Sequence, residues 1–252
     1  MEPLEPSPAL AEDLDRRVGA RGAGAVLDAA LDAFHPRLAC ACSLGLEDVA
    51  VLHLLWRRAR RPRIFFLDTG RLPQETYDTL AAVRARYGLA IEVYCPRTEA
   101  VQALVAAKGP NSFYETLENR RECCRIRKVE PLARALAGAA AWITGLRRDQ
   151  GLTRRALRPF QWDPDHGGLV QVNPLAGWSL DDVRAYLRRH RVPYNPLHDR
   201  GYPSLGCAPC TRAVGPGEDP RAGRWWWEAP EHKECGLHPA LARAAGPPEE
   251  NP

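Results

Sequence analysis

Short apolar runs recur along this chain, each followed by a helix-length stretch: Leu38–Ser43, Ile64–Leu67, Ile91–Tyr94, Trp142–Thr144 and Leu169–Val172. The runs are too short for helices and are closed by turn residues such as Asp68-Thr69-Gly70 and Pro96. Of these, Ile64–Leu67 reads as a buried strand. Between them, Asp48 to about Arg58, Pro73 to about Tyr87, and the segment from Ser179 to about His190 have helical patterning. Pro73 suits a first helical turn, and Ser179 an N-cap. Strands alternating with helices predict an α/β fold with a largely parallel sheet flanked by helices. Such sheets bind ligands beyond the carboxyl ends of their strands, so the turns after strands one, two and four are the first places to look.

The ends of the chain read differently. Residues 1 to 30 are Ala-rich and predict a helical lead-in. From residue 193 onward Pro, Gly, Trp and Cys replace the regular pattern. This C-terminal part is expected to be an irregular tail packed on the sheet domain, with the last stretch, Gly246–Pro252, disordered. At about 150 residues per domain, 252 residues allow one large domain or two small ones. No apolar run approaches the ~18 residues of a membrane span. The acidic, proline-bearing start MEPLEPSPALAEDLDRR lacks signal-peptide character. The expectation is a cytoplasmic protein with reduced thiols and no membrane partner. The net charge of +4 comes from 35 Lys+Arg against 31 Asp+Glu, scattered without a long like-charged block, so no nucleic-acid partner is expected. Lys108, Lys128 and Lys233 are the only lysines, and a modest positive field suits a small anionic substrate. A homo-oligomer is compatible with the sequence.

Eight cysteines are too few for a disulfide scaffold, and their spacing sorts them. Cys40, Cys42 and Cys95 fall in the expected strand regions and read as small buried thiols. Cys123-Cys124 is a tandem pair within Arg120–Lys128, and Cys207-Ala-Pro-Cys210 is a CxxC. Together they supply the four thiolates that either a structural zinc or a [4Fe–4S] cluster needs. Adjacent cysteines do not form the usual zinc knuckle and sit more naturally around a larger cluster. Cys235 is left over. Lys233 and His238 lie beside it, with Arg221 and Arg224 upstream, and cationic neighbours favour a nucleophilic thiolate.

Read together, these segments resemble the assimilatory adenylyl-sulfate (APS) reductases, the iron–sulfur branch of the phosphoadenylyl-sulfate (PAPS) reductase family. The resemblance runs over roughly residues 36–240. It rests on Ser43-Leu-Gly-Leu-Glu-Asp48, Leu67-Asp-Thr-Gly70 with Pro73 and Glu75-Thr76, and Cys123-Cys124 through Lys128-Val-Glu-Pro131. It continues through Thr144-Gly-Leu-Arg-Arg-Asp-Gln150, Gly206-Cys-Ala-Pro-Cys-Thr-Arg212, Arg221-Ala-Gly-Arg-Trp-Trp-Trp-Glu228 and Glu234-Cys-Gly-Leu-His238. The tandem Cys, the CxxC and the terminal ECGLH in this order carry the specificity.

The resemblance implies a Rossmann-like, adenine nucleotide alpha hydrolase-like sheet. It implies one [4Fe–4S] cluster on Cys123, Cys124, Cys207 and Cys210, with Lys128 near cluster and substrate. The PAPS-reducing branch typically lacks these four cysteines, so the expected substrate is APS. The domain reading is then a lead-in over 1–30, an α/β nucleotide-binding domain over 31–192, a cluster-binding and catalytic tail over 193–240, and a disordered 241–252. Ser43-Leu-Gly45 has one Gly fewer than the pyrophosphate loop of related ATP-splitting enzymes. It is still expected to line a nucleotide pocket through Ser43 and Gly45. For the phosphate and sulfate of that implied substrate, Arg147, Arg221 and Arg224 are the candidate forks with Lys128 as a point charge, and His238 joins the expected substrate-binding residues. The implied reaction is attack of Cys235 on the sulfate sulfur, then release of sulfite by thioredoxin or a glutaredoxin-like dithiol donor. Gly215-Pro-Gly217 is a candidate hinge for the tail. Trp225–Trp227 is either a hydrophobic latch or ordinary packing.

Overall fold

The structure is a computed structural model that describes residues 3–59, 61–151, 154–229, 233 and 236–237. Eight α-helices are described: α1 (Pro8–Val18), α2 (Gly22–Phe34), α3 (Leu46–Trp56), α4 (Gln74–Tyr87), α5 (Thr98–Lys108), α6 (Leu117–Cys124), α7 (Glu130–Leu136) and α8 (Leu180–His190). The strands are β1 (Leu38–Ala41), β2 (Arg63–Leu67), β3 (Ile91–Tyr94), β4 (Ala141–Ile143), β5 (Phe160–Asp163) and β6 (Leu169–Val172). They form one sheet in the order β3-β2-β1-β4-β6-β5. β1 runs parallel to β2 and β4, and β4 parallel to β6, which confirms the expected α/β class. Among the described residues, no helix is long and apolar enough to cross a membrane.

Local signals set the helix ends. The Ser7 hydroxyl accepts the Leu10 N–H at 3.2 Å and Pro8 opens α1. Ser179 and Asp182 cap α8 reciprocally, and Arg191 closes it in the left-handed region. Helix α3 begins at Leu46, two residues before the expected start, because Gly45 takes the extended N-cap conformation. One strand escaped the periodicity. β5 pairs antiparallel with β6 at the sheet edge, and its half-exposed Gln161 and Trp162 break the apolar run.

The chain divides into two compact units: Met1–Phe66, Gln74–Val93 and Ala135–Asn195 in one, and Leu67–Pro73, Tyr94–Arg134 and Pro196–Pro252 in the other. The first has its core between the sheet and its helices, with Val26, Leu27, Ala30 and Phe34 of α2 and Val49, Leu52 and Leu55 of α3 fully buried. The second is not a contiguous tail. It gathers the turn after β2, helices α5 and α6 and the C-terminal segment around a smaller core of Phe113, Cys124, Cys207, Cys210 and Trp225. The expected irregularity after residue 193 holds among the described residues, where short 3-10 turns and one isolated antiparallel bridge, Thr211 with Arg224, occur. Gly246–Pro252 lies outside the described residues.

Candidate functional site

In the second unit, the Thr116 hydroxyl accepts the Asn119 N–H at 3.1 Å and starts α6. Its last two residues are Cys123 and Cys124. The chain then widens into a π-helical turn, Arg125–Val129, that buries Ile126, Arg127 and Lys128. Single π turns are frequent at functional sites. The other cysteine pair lies on a 3-10 turn, where the Cys210 N–H donates to the Cys207 carbonyl at 3.0 Å and the Ala208 N–H to that of Arg71 at 2.7 Å. All four thiols line one cavity, together with Arg71, Arg120, Arg127, Lys128 and Trp225. They are free thiols.

The cavity is lined by cations. Burial opposes ionisation of Cys207, but Lys128, the Thr69 hydroxyl at 3.3 Å, Arg224 and Arg127 outweigh it and hold its pKa below the usual thiol value. Burial pushes Cys123 up, and pushes Cys210 up to about 12 with help from Cys207. Among the described residues, two buried donors of the lining side chains, Trp225 Nε1 and Arg127 Nε, have no hydrogen-bond partner. An unmet buried donor costs roughly 1–3 kcal/mol, so each favours an acceptor. Among the described residues, no group of three or more His, Cys, Asp or Glu side chains is placed to hold a metal ion.

The expected cations are distributed unevenly. Lys128 Nζ lies 5.9 Å from the Trp225 ring and Arg224 lies 4.6 Å over it. Arg224 is buried and donates to the Leu205 carbonyl at 2.8 Å and to Ser204 Oγ at 3.3 Å. Arg221 donates to the Lys233 carbonyl at 2.8 Å. Cys235 and His238 lie outside the described residues. Their neighbour Gly236 has φ +78, and a Cβ there would stand 3.5 Å from Val129, which follows Lys128. Around the candidate hinge, Glu218 accepts the Gly215 N–H at 2.6 Å and forms a fork with Arg212. Of the three tryptophans, Trp225 is buried and Trp226 is 40% exposed. Cys95 departs from its expected place. It follows β3 and is exposed, because the apolar run ends at Tyr94.

In the first unit, the turn after β1 is organised by a carboxylate. Asp48 Oδ2 accepts the Ser43 N–H at 2.5 Å and its hydroxyl at 2.6 Å. Burial pushes the Asp48 pKa up to about 6. Gly145 makes room for it, since a Cβ there would meet Asp48 Oδ1 at 2.2 Å. Leu44 is fully buried with φ +64, so a bulky residue fills the left-handed position of this turn. Gly45 has an ordinary extended backbone. Arg147, expected to grip an anion, is buried against carboxylates: Glu47 at 2.8 Å and Asp149 at 3.2 Å. Sequence reasoning missed Asp48, Thr69, Arg127 and the pair Arg120–Glu228. All four lie inside the motif segments, and Arg120 stands four residues before Cys124, on the same helical face.

A family profile for the phosphoadenosine phosphosulfate reductase domain matches residues 37–213. The adenosine 5'-phosphosulfate reductase of Allochromatium vinosum is 56% identical over 79% of this chain and 77% of its own length. That of Burkholderia cepacia is 52% identical over 81% of each chain. A solved phosphoadenylyl-sulfate reductase of Candida auris, in a phosphate complex, superposes with TM-score 0.71 at 28% identity, covering 84% of this chain and 100% of that one. The FMN adenylyltransferase of Candida glabrata, at TM-score 0.55 and 15% identity over 87% of this chain and 73% of its own, shares the fold alone. This chain belongs to the phosphoadenosine phosphosulfate reductase family, among its adenosine 5'-phosphosulfate reductases.

Proposed function

We propose that this protein reduces adenosine 5'-phosphosulfate to sulfite and AMP in sulfate assimilation, with Cys235 as nucleophile and a [4Fe–4S] cluster on Cys123, Cys124, Cys207 and Cys210. The observation that carries this reading is the shared cavity. Two cysteine pairs from distant segments line it, beside cations and two N–H donors without a partner among the described residues, in a chain 56% identical to a named APS reductase. The donor set fits the group: four thiols line the one cavity, and its buried donors would be satisfied by sulfide and thiolate acceptors. Bound there, a cluster would supply those acceptors and a fixed local charge beside Lys128.

The chemistry falls to the chain's own residues. The Cys235 thiolate attacks the sulfate sulfur, and the bond from that sulfur to the bridging phosphate oxygen breaks. AMP leaves with the bonding pair, and Cys235 carries an S-sulfonate. A thiolate of thioredoxin, or of a glutaredoxin-like dithiol protein, then attacks Cys235 Sγ. Sulfite departs with the pair of the S–S bond, and the partner's second thiol resolves the mixed disulfide. The dithiol supplies both electrons.

Ser43 and Gly45 are assigned to the nucleotide, and Lys128, Arg221, Arg224 and His238 to its anionic groups. Arg147 is assigned with them, and in the ligand-free fold its guanidinium pairs with Glu47 at 2.8 Å. A cytoplasmic site, where thiols stay reduced, fits the free cysteines.

The test compares sulfite release from APS and from PAPS, using protein whose iron has been counted. Release from APS with about four irons per chain is expected. Release from PAPS alone, or a Cys235→Ser variant that makes sulfite at the unmodified rate, would overturn the assignment.

A further inference from the structure

We infer that the buried Arg120–Glu228 pair is a positioning device that holds the two cysteine pairs on the walls of one cavity before anything is bound there. The inference rests on the proposed cluster site only for the use of that cavity, since the geometry belongs to the polypeptide. Arg120 Nε and Nη2 donate to Glu228 Oε1 and Oε2 at 2.9 and 2.8 Å, a two-point fork with side chains only 1% and 7% exposed. The Glu228 N–H donates to the Trp225 carbonyl at 2.8 Å, and the Trp225 N–H to the Cys210 carbonyl at 3.1 Å. The Arg120 guanidinium lies 4.8 Å over the Trp225 ring. An unbroken run of bonds thus leads from α6, which ends in Cys123 and Cys124, through Arg120, Glu228 and Trp225 to Cys210.

Two further observations favour positioning over simple stability. Trp225 has φ +41, a strained backbone for a bulky residue, and such strain persists only where the surroundings over-determine it. The Glu228 fork supplies that constraint three residues later. Second, the pairs Arg97–Glu130, Lys108–Glu122, Arg134–Glu130 and Arg212–Glu218 of the same unit are each about a third or more exposed on both sides. A buried pair adds little net stability over apolar packing, but it fixes which segments meet. That is what two short cysteine-bearing segments need, because nothing local brings them together.

The experiment uses the full chain with metal removed and thiols reduced. Labelling by 5,5'-dithiobis(2-nitrobenzoate) is followed cysteine by cysteine through peptide mass spectrometry. Glu228→Gln is expected to speed labelling at Cys124, Cys207 and Cys210 by about tenfold or more, while buried Cys40 and Cys42 stay protected as a check on the other unit. Glu218→Gln removes an exposed fork of the same chemistry and is expected to leave the rates unchanged. Unchanged labelling in Glu228→Gln overturns the inference. If Cys40 and Cys42 also open, the decision passes to Arg120→Lys, which keeps the charge and loses the fork. Selective exposure of the three thiols there supports the inference, and none refutes it. A second arm measures loss of iron from reconstituted protein to a ferrous chelator, which Glu228→Gln should accelerate. Wild-type protein that never takes up iron would overturn the cluster reading and leave the labelling result standing.

Discussion

Asp48 gives a prediction whose sign and size follow from the structure. In the unfolded chain its carboxyl ionises near 3.8, while in the fold burial delays ionisation to about 6. Between those values the fold binds a proton that the unfolded chain has released, so stability falls as pH rises. The contribution is complete below 3.8 and is lost as pH passes 6. A shift of about 2 units corresponds to roughly 3 kcal/mol. Asn at this position cannot ionise, but its Oδ1 can still accept from the Ser43 N–H and hydroxyl. Anaerobic urea unfolding of wild type and Asp48→Asn, followed by far-UV circular dichroism from pH 4 to pH 7.5, isolates this one group by difference. The stability of Asp48→Asn relative to wild type should rise by roughly 3 kcal/mol across that range and then level off. A difference that is flat, or that falls with pH, would show that Asp48 is not the desolvated carboxyl holding the turn after β1.

Leu44 should invert a familiar ranking. Both Leu44→Ala and Leu44→Gly remove its buried side chain, at about 2–5 kcal/mol, but Gly alone accepts φ +64 freely, so Leu44→Gly should be the more stable by about 1 kcal/mol. Equal midpoints, or Ala above Gly, would count against the left-handed turn. Gly206→Ala should cost about 1–3 kcal/mol in thermal unfolding, because its Cβ would lie 2.3 Å from Arg224 Nη2 and the buried guanidinium would have to leave its place over Trp225. An unchanged melting temperature would refute that packing. Glu218→Gln should leave the melting temperature essentially unchanged, since its ion pair with Arg212 is exposed, and a clear drop would refute that reading.

Most of the sheet was legible because short apolar-rich runs bounded by turn residues mark its strands, both the buried Ile64–Phe66 and the edge strand Ile91–Tyr94. β5 was not, because it mixes Phe160 with half-exposed Gln161 and Trp162. The four cavity cysteines were legible from spacing, since few chemistries use a tandem pair and a CxxC together. Their electrostatics were not. Cys207 and Cys210 are three residues apart, yet the thiol of one is held below and that of the other above the usual value: burial opposes ionisation of both, but at Cys207 it is outweighed by Lys128, the Thr69 hydroxyl, Arg224 and Arg127, whereas at Cys210 Cys207 and Cys124 reinforce it.

By itself the sequence determined the α/β class, the identity of the cysteines that share the cavity and the family of the chain. These depend on periodicity and on residue types at fixed spacing. Tertiary structure alone decided that Arg147 pairs with Glu47, that Asp48 holds Ser43, and that Arg120 meets Glu228 across 108 positions of chain. The physical reason is the same in each case. An ion pair or hydrogen bond depends on distance and burial in space, and side chains remote in sequence acquire both only when the backbone has folded.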